Sequence, residues 1–593
     1  MERGSQRSLS ESQVDLLTFL QRVDQIFPVA ATRLKTLSSE TKIKLGSLFV
    51  SHTLVVFWRN QSFIPNDFID SSLDASARWA RALLASILAI LDCSEDEKIA
   101  LVQYLEMSLP PNAAVGPESH ATDAIITDLS TIDRFVGEDK NLFIKFLESY
   151  PCVAPIVLVV LLRDCVVLLI LQSSSVNVTY NSRTREVLFS IALSFSLDPD
   201  AVRVWEKSIG EILHGSSQVS SSKLSGQERQ GMTRKLKIGI GAVGGAVLLG
   251  VTGGLAFPML ATLASGVGAA FTGIGLGVVG TVFATTSMVL GSVSVASAVA
   301  LFGITGGSLV SYKLSNRFGS LNVKDFKFKE IGTRYSKTPL LDDALEVVLC
   351  VSGYLRSSKD CIEPWKILEH TVVSHPLALQ WERENLERLG NVFVKLLSAE
   401  LATALTNAYL QMTLGAVAST VVLPISVLSA MSDLDNILIV CEDRAQQAGQ
   451  ALSDVIRNPD LGARPYTLIA YSVGSTAVFS CLQALADAEQ FFSVQDVILI
   501  GSTIPCTFLY EGQRTPWQKA RSVVSGRIIN VFSKKDMLLQ VLCRYLQWTI
   551  QVSGVMQVSE SGIENYDVSD LIASHSDYPS KIAQILERVG YIK

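Results

Sequence analysis

Ser472, Asp536 and His575 stand in the chain order serine, acid, histidine that an α/β-hydrolase uses for acyl transfer. The run Tyr466 to Ser475 reads as a strand that stops at a serine and restarts as a helix. Leu468 and Ile469 are strand formers, and Val478, Leu482 and Leu485 follow at helical spacing. A serine on such a turn projects its hydroxyl above the sheet edge, and the next N–H points toward an oxyanion. Small residues on either side let strand and helix approach. Gly474 supplies one, and Ala470 stands where the usual pattern has a glycine. The motif alone has a competing reading as a chance Ser-x-Gly between strand and helix.

The partners narrow the choice. Of six histidines, His52, His120, His214, His370, His375 and His575, only the last follows Ser472. It lies in a polar loop, Ala573 to Tyr578, before a closing helix marked by Ile582, Ile585, Leu586 and Val589. The acid should follow a late strand. Arg527 to Phe532 is such a strand, and Asp536 lies in the loop leaving it. Asp567, Asp570 and Asp577 are the alternatives, with no strand expected before them. The plain reading of Asp536 is a cap for the next helix, and that of His575 is a loop imidazole. In the chemical reading, His575 takes the Ser472 proton, Asp536 orients the ring, and backbone N–H groups hold the oxyanion. Val473 N–H is one expected donor. The other should follow an earlier strand, here Leu345 to Ser352, where Gly353 lets the backbone turn and leaves Tyr354 or Leu355 N–H as candidates.

These residues need a parallel sheet and crossover helices to hold them, expected over residues 340–593. Two stretches set that domain against a membrane. No charged residue occurs from Ile238 to Tyr312. A bilayer span takes about 20 apolar residues, so this segment has room for two helices, or three at a squeeze. Its small residues recur four apart (Gly241/Gly245, Gly250/Gly254, Gly273/Gly277, Gly303/Gly307), which lets helix backbones meet in lipid. Basic residues flank both ends: Arg234, Lys235 and Lys237 before, Lys313 and Arg317 after. Both flanks then lie on the cytosolic side, as in a helical hairpin. The competing reading is a glycine-rich soluble core. The second uncharged stretch, Leu401 to Ser432, sits inside the sheet domain. A single span there would divide the sheet, so it is a lid, a membrane-facing helix or a buried crossover, broken near Pro424.

The remainder organises around these parts. Residues 1–214 read as an all-α cytosolic domain. Ser10/Gln13 and Ser94/Glu97 have capping-box spacing, Asp198-Pro199 resembles a helix start, and Trp79, Leu83, Leu84, Ile87 and Ile90 form a helical stripe. Val153 to Leu171 is apolar, but Arg163 and Asp164 in its middle favour a buried or membrane-facing helix over a span. Residues 215–237 are a serine-rich, then basic, linker, and 313–339 a basic connector. At 593 residues two or three domains are expected, and the net charge of −6 gives no basic excess for nucleic acid. The start, Met1 to Glu11, has no apolar core, so no signal peptide is expected. Nine cysteines without a C-x-x-C pair, several in apolar runs (Cys165, Cys350, Cys441), read as reduced and buried. No metal or cofactor is expected.

The order of parts carries a resemblance: a helical region, a glycine-rich hairpin, Val351-Ser352-Gly353-Tyr354-Leu355, Leu379-Gln380-Trp381-Glu382 leading to Leu389-Gly390, the Ala470 to Gly474 elbow and Ser533 to Asp536. It is similar to the transmembrane and coiled-coil domain-containing protein four family, eukaryotic membrane proteins with an α/β-hydrolase-like domain. The similarity runs over most of the chain, best from about residue 230. The resemblance implies a lipase-like serine hydrolase with Ser472 as nucleophile and Asp536 and His575 as acid and base. It also implies an intracellular membrane, Golgi or endosomal, and trafficking adaptor proteins as partners. Two functions remain open: a membrane-anchored esterase or lipase acting on lipid-borne acyl esters, and a catalytically silent hydrolase fold serving membrane trafficking or protein interaction.

Overall fold

The computed structural model describes residues 34–65, 68–109, 154–171, 180–194, 202–207, 323–332, 344–371, 374–396, 425–458, 464–507, 515–540 and 551–592, with a few isolated positions besides. The expected linker 215–237 lies outside them. So does the segment 238–312, apart from Leu301, which is buried in the N-terminal helical core. Among the described residues no helix is long and apolar enough to cross a membrane.

The N-terminal part is helical. Helix α1 (Ser39–Gln61) starts where Ser38 Oγ accepts the Thr41 N–H. Helix α2 (Ile69–Leu91) turns the stripe Trp79, Leu83, Leu84, Ile87 and Ile90 inward, and all five are buried. Helix α3 (Glu95–Ser108) opens on the capping box formed by Ser94 and Glu97. Helix α4 (Ala154–Leu171) is the apolar stretch with Arg163 and Asp164 at its centre. Its second half, Cys165 to Ile170, is buried in the same core as Phe49, Phe57 and Leu188, and Asp164 is ion-paired with Arg163 at 3.1 Å. Helix α5 (Ser182–Ser194) completes this layer, with Thr184 Oγ1 accepting from Trp79 Nε1 at 3.0 Å.

The C-terminal part is α/β. Strands β1 (Lys327–Glu330), β2 (Val347–Val351), β3 (His375–Gln380), β4 (Tyr466–Tyr471), β5 (Val494–Ile500), β6 (Ile528–Phe532) and β7 (Ile563–Asp567) form one sheet in the order β1-β3-β2-β4-β5-β6-β7. All neighbours are parallel except β1 on β3. Unbroken runs such as Val347–Val351 and Val494–Ile500 are buried throughout, because helices cover both faces of a parallel sheet. The covering helices include α6 (Arg383–Leu396), α7 (Ile425–Ile456), α8 (Val473–Asp487), α9 (Pro516–Ser522) and α10 (Tyr578–Arg588). The stretch expected as a basic connector supplies β1, where Lys327 and Lys329 lie on an edge strand. Charge there discourages further strand pairing. Of the uncharged stretch Leu401 to Ser432, the described part begins just after Pro424 as α7, whose Leu434, Leu438, Cys441 and Ala445 are buried in the sheet core.

The helical part docks on the amino-terminal ends of the strands. Arg185 is fully buried. It donates to both oxygens of Glu206 (2.7 and 2.8 Å) and to Glu346 Oε2 at 2.9 Å. Glu346 immediately precedes β2, and its other oxygen accepts from Thr467 of β4. Burial alone would push the Glu346 carboxyl up, yet Arg185 and Arg203 hold it down to about 2. Arg59 donates to the Ser525 carbonyl and Ser182 to the Ser493 carbonyl, ahead of β6 and β5. Composition gave no hint of this contact, since its charges are spread along the chain from Arg59 to Glu346.

Candidate active site

The chain runs from β2 outward to β3, then returns to place β4 on the other side of β2. A crevice opens at the carboxyl ends of strands where the order reverses in this way. Ser472 follows β4 directly and Gly353 follows β2, so both stand at that point. Ser472 has φ 55 and ψ −134, a conformation costly for a residue with a Cβ. Its surroundings enforce it. The Ser472 N–H is held by the Ile500 carbonyl at 2.9 Å, and its carbonyl accepts from Ser475 N–H. A Cβ on Gly474 would lie 2.4 Å from the Val351 carbonyl oxygen, so only glycine lets helix α8 start this close to β2. Ala470 is buried in β4 opposite Val351 and Leu499. Its methyl is housed within the sheet, two residues short of the turn.

His575 reaches the serine from the far end of the chain. Its Nε2 is 2.8 Å from Ser472 Oγ and its Nδ1 is 2.6 Å from Asp536 Oδ2. A carboxylate can only accept, so Nδ1 carries the proton and Nε2 is left to accept from the serine hydroxyl. Asp536 lies past the end of β6. Its Oδ1 caps the following turn by accepting Leu539 N–H at 3.0 Å. One carboxylate therefore serves both sequence readings, cap and histidine partner. Ser472, Asp536 and His575 are all buried. The three alternative acids are engaged elsewhere, although Asp567, expected to follow no strand, ends strand β7. Asp567 pairs with Lys534, Asp570 with Arg588, and Asp577 accepts the N–H groups of Ala573 and Ser574.

The two expected oxyanion strands are brought together by contact. A Cβ on Gly353 would fall 2.1 Å from the Tyr471 carbonyl oxygen and 2.5 Å from Val473 N, so the loop after β2 lies directly on the elbow. Val473 opens α8, where first-turn N–H groups have no helical partner. Neither Val473 N–H nor Tyr354 N–H meets an acceptor among the described residues. Leu355 is corrected: its N–H donates to the Leu386 carbonyl at 3.0 Å and is not free to hold an oxyanion. Tyr354 is the candidate that remains.

Sequence reasoning missed the supports of this loop. Ser352 takes a hydrogen bond on its hydroxyl from Trp365 Nε1 and on its carbonyl from Trp381 Nε1, at 3.0 and 3.2 Å. Tyr354, Phe393 and Tyr578 surround the His575 ring, with centroids 5.7, 5.2 and 5.4 Å away. The aromatic residues in Val351 to Leu355 and Leu379 to Glu382 were visible, but which ring meets which group is a tertiary fact.

Fold and site together define an α/β protein with a buried serine–histidine–aspartate hydrogen-bond chain at the switch point of its sheet. The chain belongs to the family described as protein of unknown function (DUF726), which matches residues 230–592. It is 31% identical over 391 residues to the rice (Oryza sativa subsp. japonica) transmembrane and coiled-coil domain-containing protein STS1, covering 64% of this chain and 57% of that one. An uncharacterized membrane protein of Schizosaccharomyces pombe is 30% identical over 72% of this chain and 71% of its own. A probable lipase, MIL1, of Saccharomyces cerevisiae is 28% identical over 71% of this chain and 38% of its own. The chain thus spans little more than half the rice relative's length. No solved structure matches it.

Proposed function

We propose that this chain is a membrane-associated serine hydrolase of the α/β-hydrolase type that cleaves acyl esters. The observation that carries the reading is the hydrogen-bond chain Ser472 Oγ to His575 Nε2 at 2.8 Å and His575 Nδ1 to Asp536 Oδ2 at 2.6 Å. Nucleophile, base and orienting acid are within hydrogen-bond reach of one another.

The chemistry follows from the geometry. Ser472 Oγ attacks the ester carbonyl as its proton passes to His575 Nε2. The imidazolium keeps its Nδ1 proton toward Asp536, which stabilises the new charge. The tetrahedral oxyanion is held by Val473 and Tyr354 N–H groups. Protonated His575 then gives its proton to the leaving alkoxide, and water repeats the sequence to release the acid. The closed site keeps these interactions in a low dielectric, where they are strongest.

Lipid-borne esters are the proposed substrate class. The uncharged segment Ile238 to Tyr312 supports a membrane anchor, as do the names of the relatives as membrane proteins. The probable-lipase name of the yeast relative supports an ester substrate. In this reading residues 1–214 form a helical cytosolic domain, 238–312 a hairpin and 340–593 the catalytic domain, with strand β1 contributed from 313–339.

The test is covalent labelling by a fluorophosphonate in membranes, comparing wild type with Ser472→Ala and His575→Ala. Labelling of wild type and loss in both variants is expected, because only a serine activated by its base reacts. Absence of wild-type labelling would overturn the reading in favour of a silent fold, with trafficking partners to be sought by affinity capture.

A further inference from the structure

Two buried phenols connect the three backbone segments of the candidate site, and the reaction scheme above uses neither. Tyr471, the last residue of β4 before the serine, donates its hydroxyl to the Tyr354 carbonyl at 2.9 Å. Tyr354 donates its own hydroxyl to the His575 carbonyl at 3.0 Å. The rings meet edge to face, with centroids 5.4 Å apart. Both residues are fully buried. Elbow, oxyanion loop and histidine loop are therefore joined in series by these two hydroxyls.

We propose that Tyr354 and Tyr471 are positioning residues, which hold the oxyanion loop and the His575 loop in register with Ser472. This inference rests on the hydrolase reading. The physical case has three parts. A hydrogen bond buried in the low-dielectric interior is stronger than one in water and holds its partners more firmly. Tyr471 fixes the peptide that follows Tyr354, while the N–H of Tyr354 lies on the peptide before it, so the bond restrains the donor. Tyr354 fixes the carbonyl of His575 itself and restrains the backbone from which the imidazole projects. Burial pushes both phenols well above their ordinary values, so both remain donors throughout the range in which a histidine base works. At the surface, Arg356 Nη2 donates to the Ser576 carbonyl at 2.9 Å, a second tie between the same two loops. None of the three side chains is assigned to touch the reacting atoms.

The test uses the full chain in detergent and a fluorophosphonate probe, with the rate split into kinact and KI for wild type, Tyr354→Phe, Tyr471→Phe and the double variant. Phenylalanine keeps the ring packing and removes the hydroxyl. Each single variant should lower kinact about tenfold, the scale of one lost buried hydrogen bond, with KI within about twofold of wild type. The double variant should lose little more than either single one, because both bonds pass through Tyr354 and act as one tether. Melting temperatures are read in parallel. Arg356→Met, on the surface, loosens the same pair of loops without touching the core and should lower kinact by about threefold.

Wild-type rates in both phenylalanine variants would overturn the positioning role while leaving the hydrolase reading intact. So would a change confined to KI, or additive losses that track melting temperature while Arg356→Met stays at the wild-type rate. A wild type that does not label overturns both.

Discussion

Replacing Gly353 with alanine tests how closely the oxyanion loop must lie on the elbow. The added methyl would sit 2.1 Å from the Tyr471 carbonyl oxygen, 2.5 Å from Val473 N and 2.6 Å from Gly474 N. All three are backbone atoms, so no side chain can turn aside. Ordinary contact begins near 3.4 Å, so loop and elbow must part by about 1.3 Å. Overpacking of this kind costs about 1–3 kcal/mol of stability. The larger effect falls on rate. Val473 and Tyr354 would no longer converge on one oxyanion, and a displacement of about 1 Å costs on the order of 10²-fold. The assay is fluorophosphonate labelling kinetics beside thermal melting. Gly590→Ala is the matched control. Gly590 has φ +70 with nothing within 4 Å of its added Cβ. That variant carries a backbone penalty of about 1–2 kcal/mol and should label at the wild-type rate. Labelling of Gly353→Ala within twofold of wild type, at unchanged melting temperature, would refute the close approach as the source of the oxyanion site.

Two further outcomes concern stability. Arg185→Met leaves Glu206 buried without its cation and Glu346 with only Arg203 at 3.9 Å, and should cost about 3–5 kcal/mol. A melting temperature unchanged from wild type would show that the helical layer does not depend on this contact. His52 projects from α1 toward α5, its ring nitrogens 2.8 Å from Ser190 Oγ and 3.2 Å from Ser194 Oγ, and burial lowers its pKa to about 4. Folding thus favours the neutral ring. The stabilisation is complete above the ordinary value near 6.5 and is lost as pH falls through about 4, amounting to about 3 kcal/mol. Melting of wild type should fall more steeply between pH 6.5 and 4.5 than that of His52→Asn, and equal slopes would exclude His52 as the source.

Much of the architecture was legible because it rests on local signals. The elbow announced itself in a β-forming run broken at Ser472, and strand β6 with its trailing Asp536 read in the same way. The Trp79 stripe and the Ser94/Glu97 box marked α2 and α3 through helical periodicity and capping chemistry. Strand β1 was not legible. Lys327 to Glu330 is short and charged, and it becomes a strand by pairing with β3, which no local preference reports. The choice between Tyr354 and Leu355 was equally closed to sequence, since it turns on whether a distant carbonyl, that of Leu386, takes one of two adjacent N–H groups.

The sequence by itself determined which residues were eligible: one histidine after the serine, four acids led by Asp536, a glycine beside each turn. Those are matters of residue type and order along the chain. Tertiary structure decided which of them meet. It brought His575 to Ser472 across more than a hundred residues, sent Asp567, Asp570 and Asp577 to other partners, and set Tyr354 and Tyr471 between the loops. It also seated the N-terminal helices on the strand ends through Arg185 and Glu346. Contacts between distant residues are selected by the packing of the whole sheet and its covering helices, and that packing has no local signature to read.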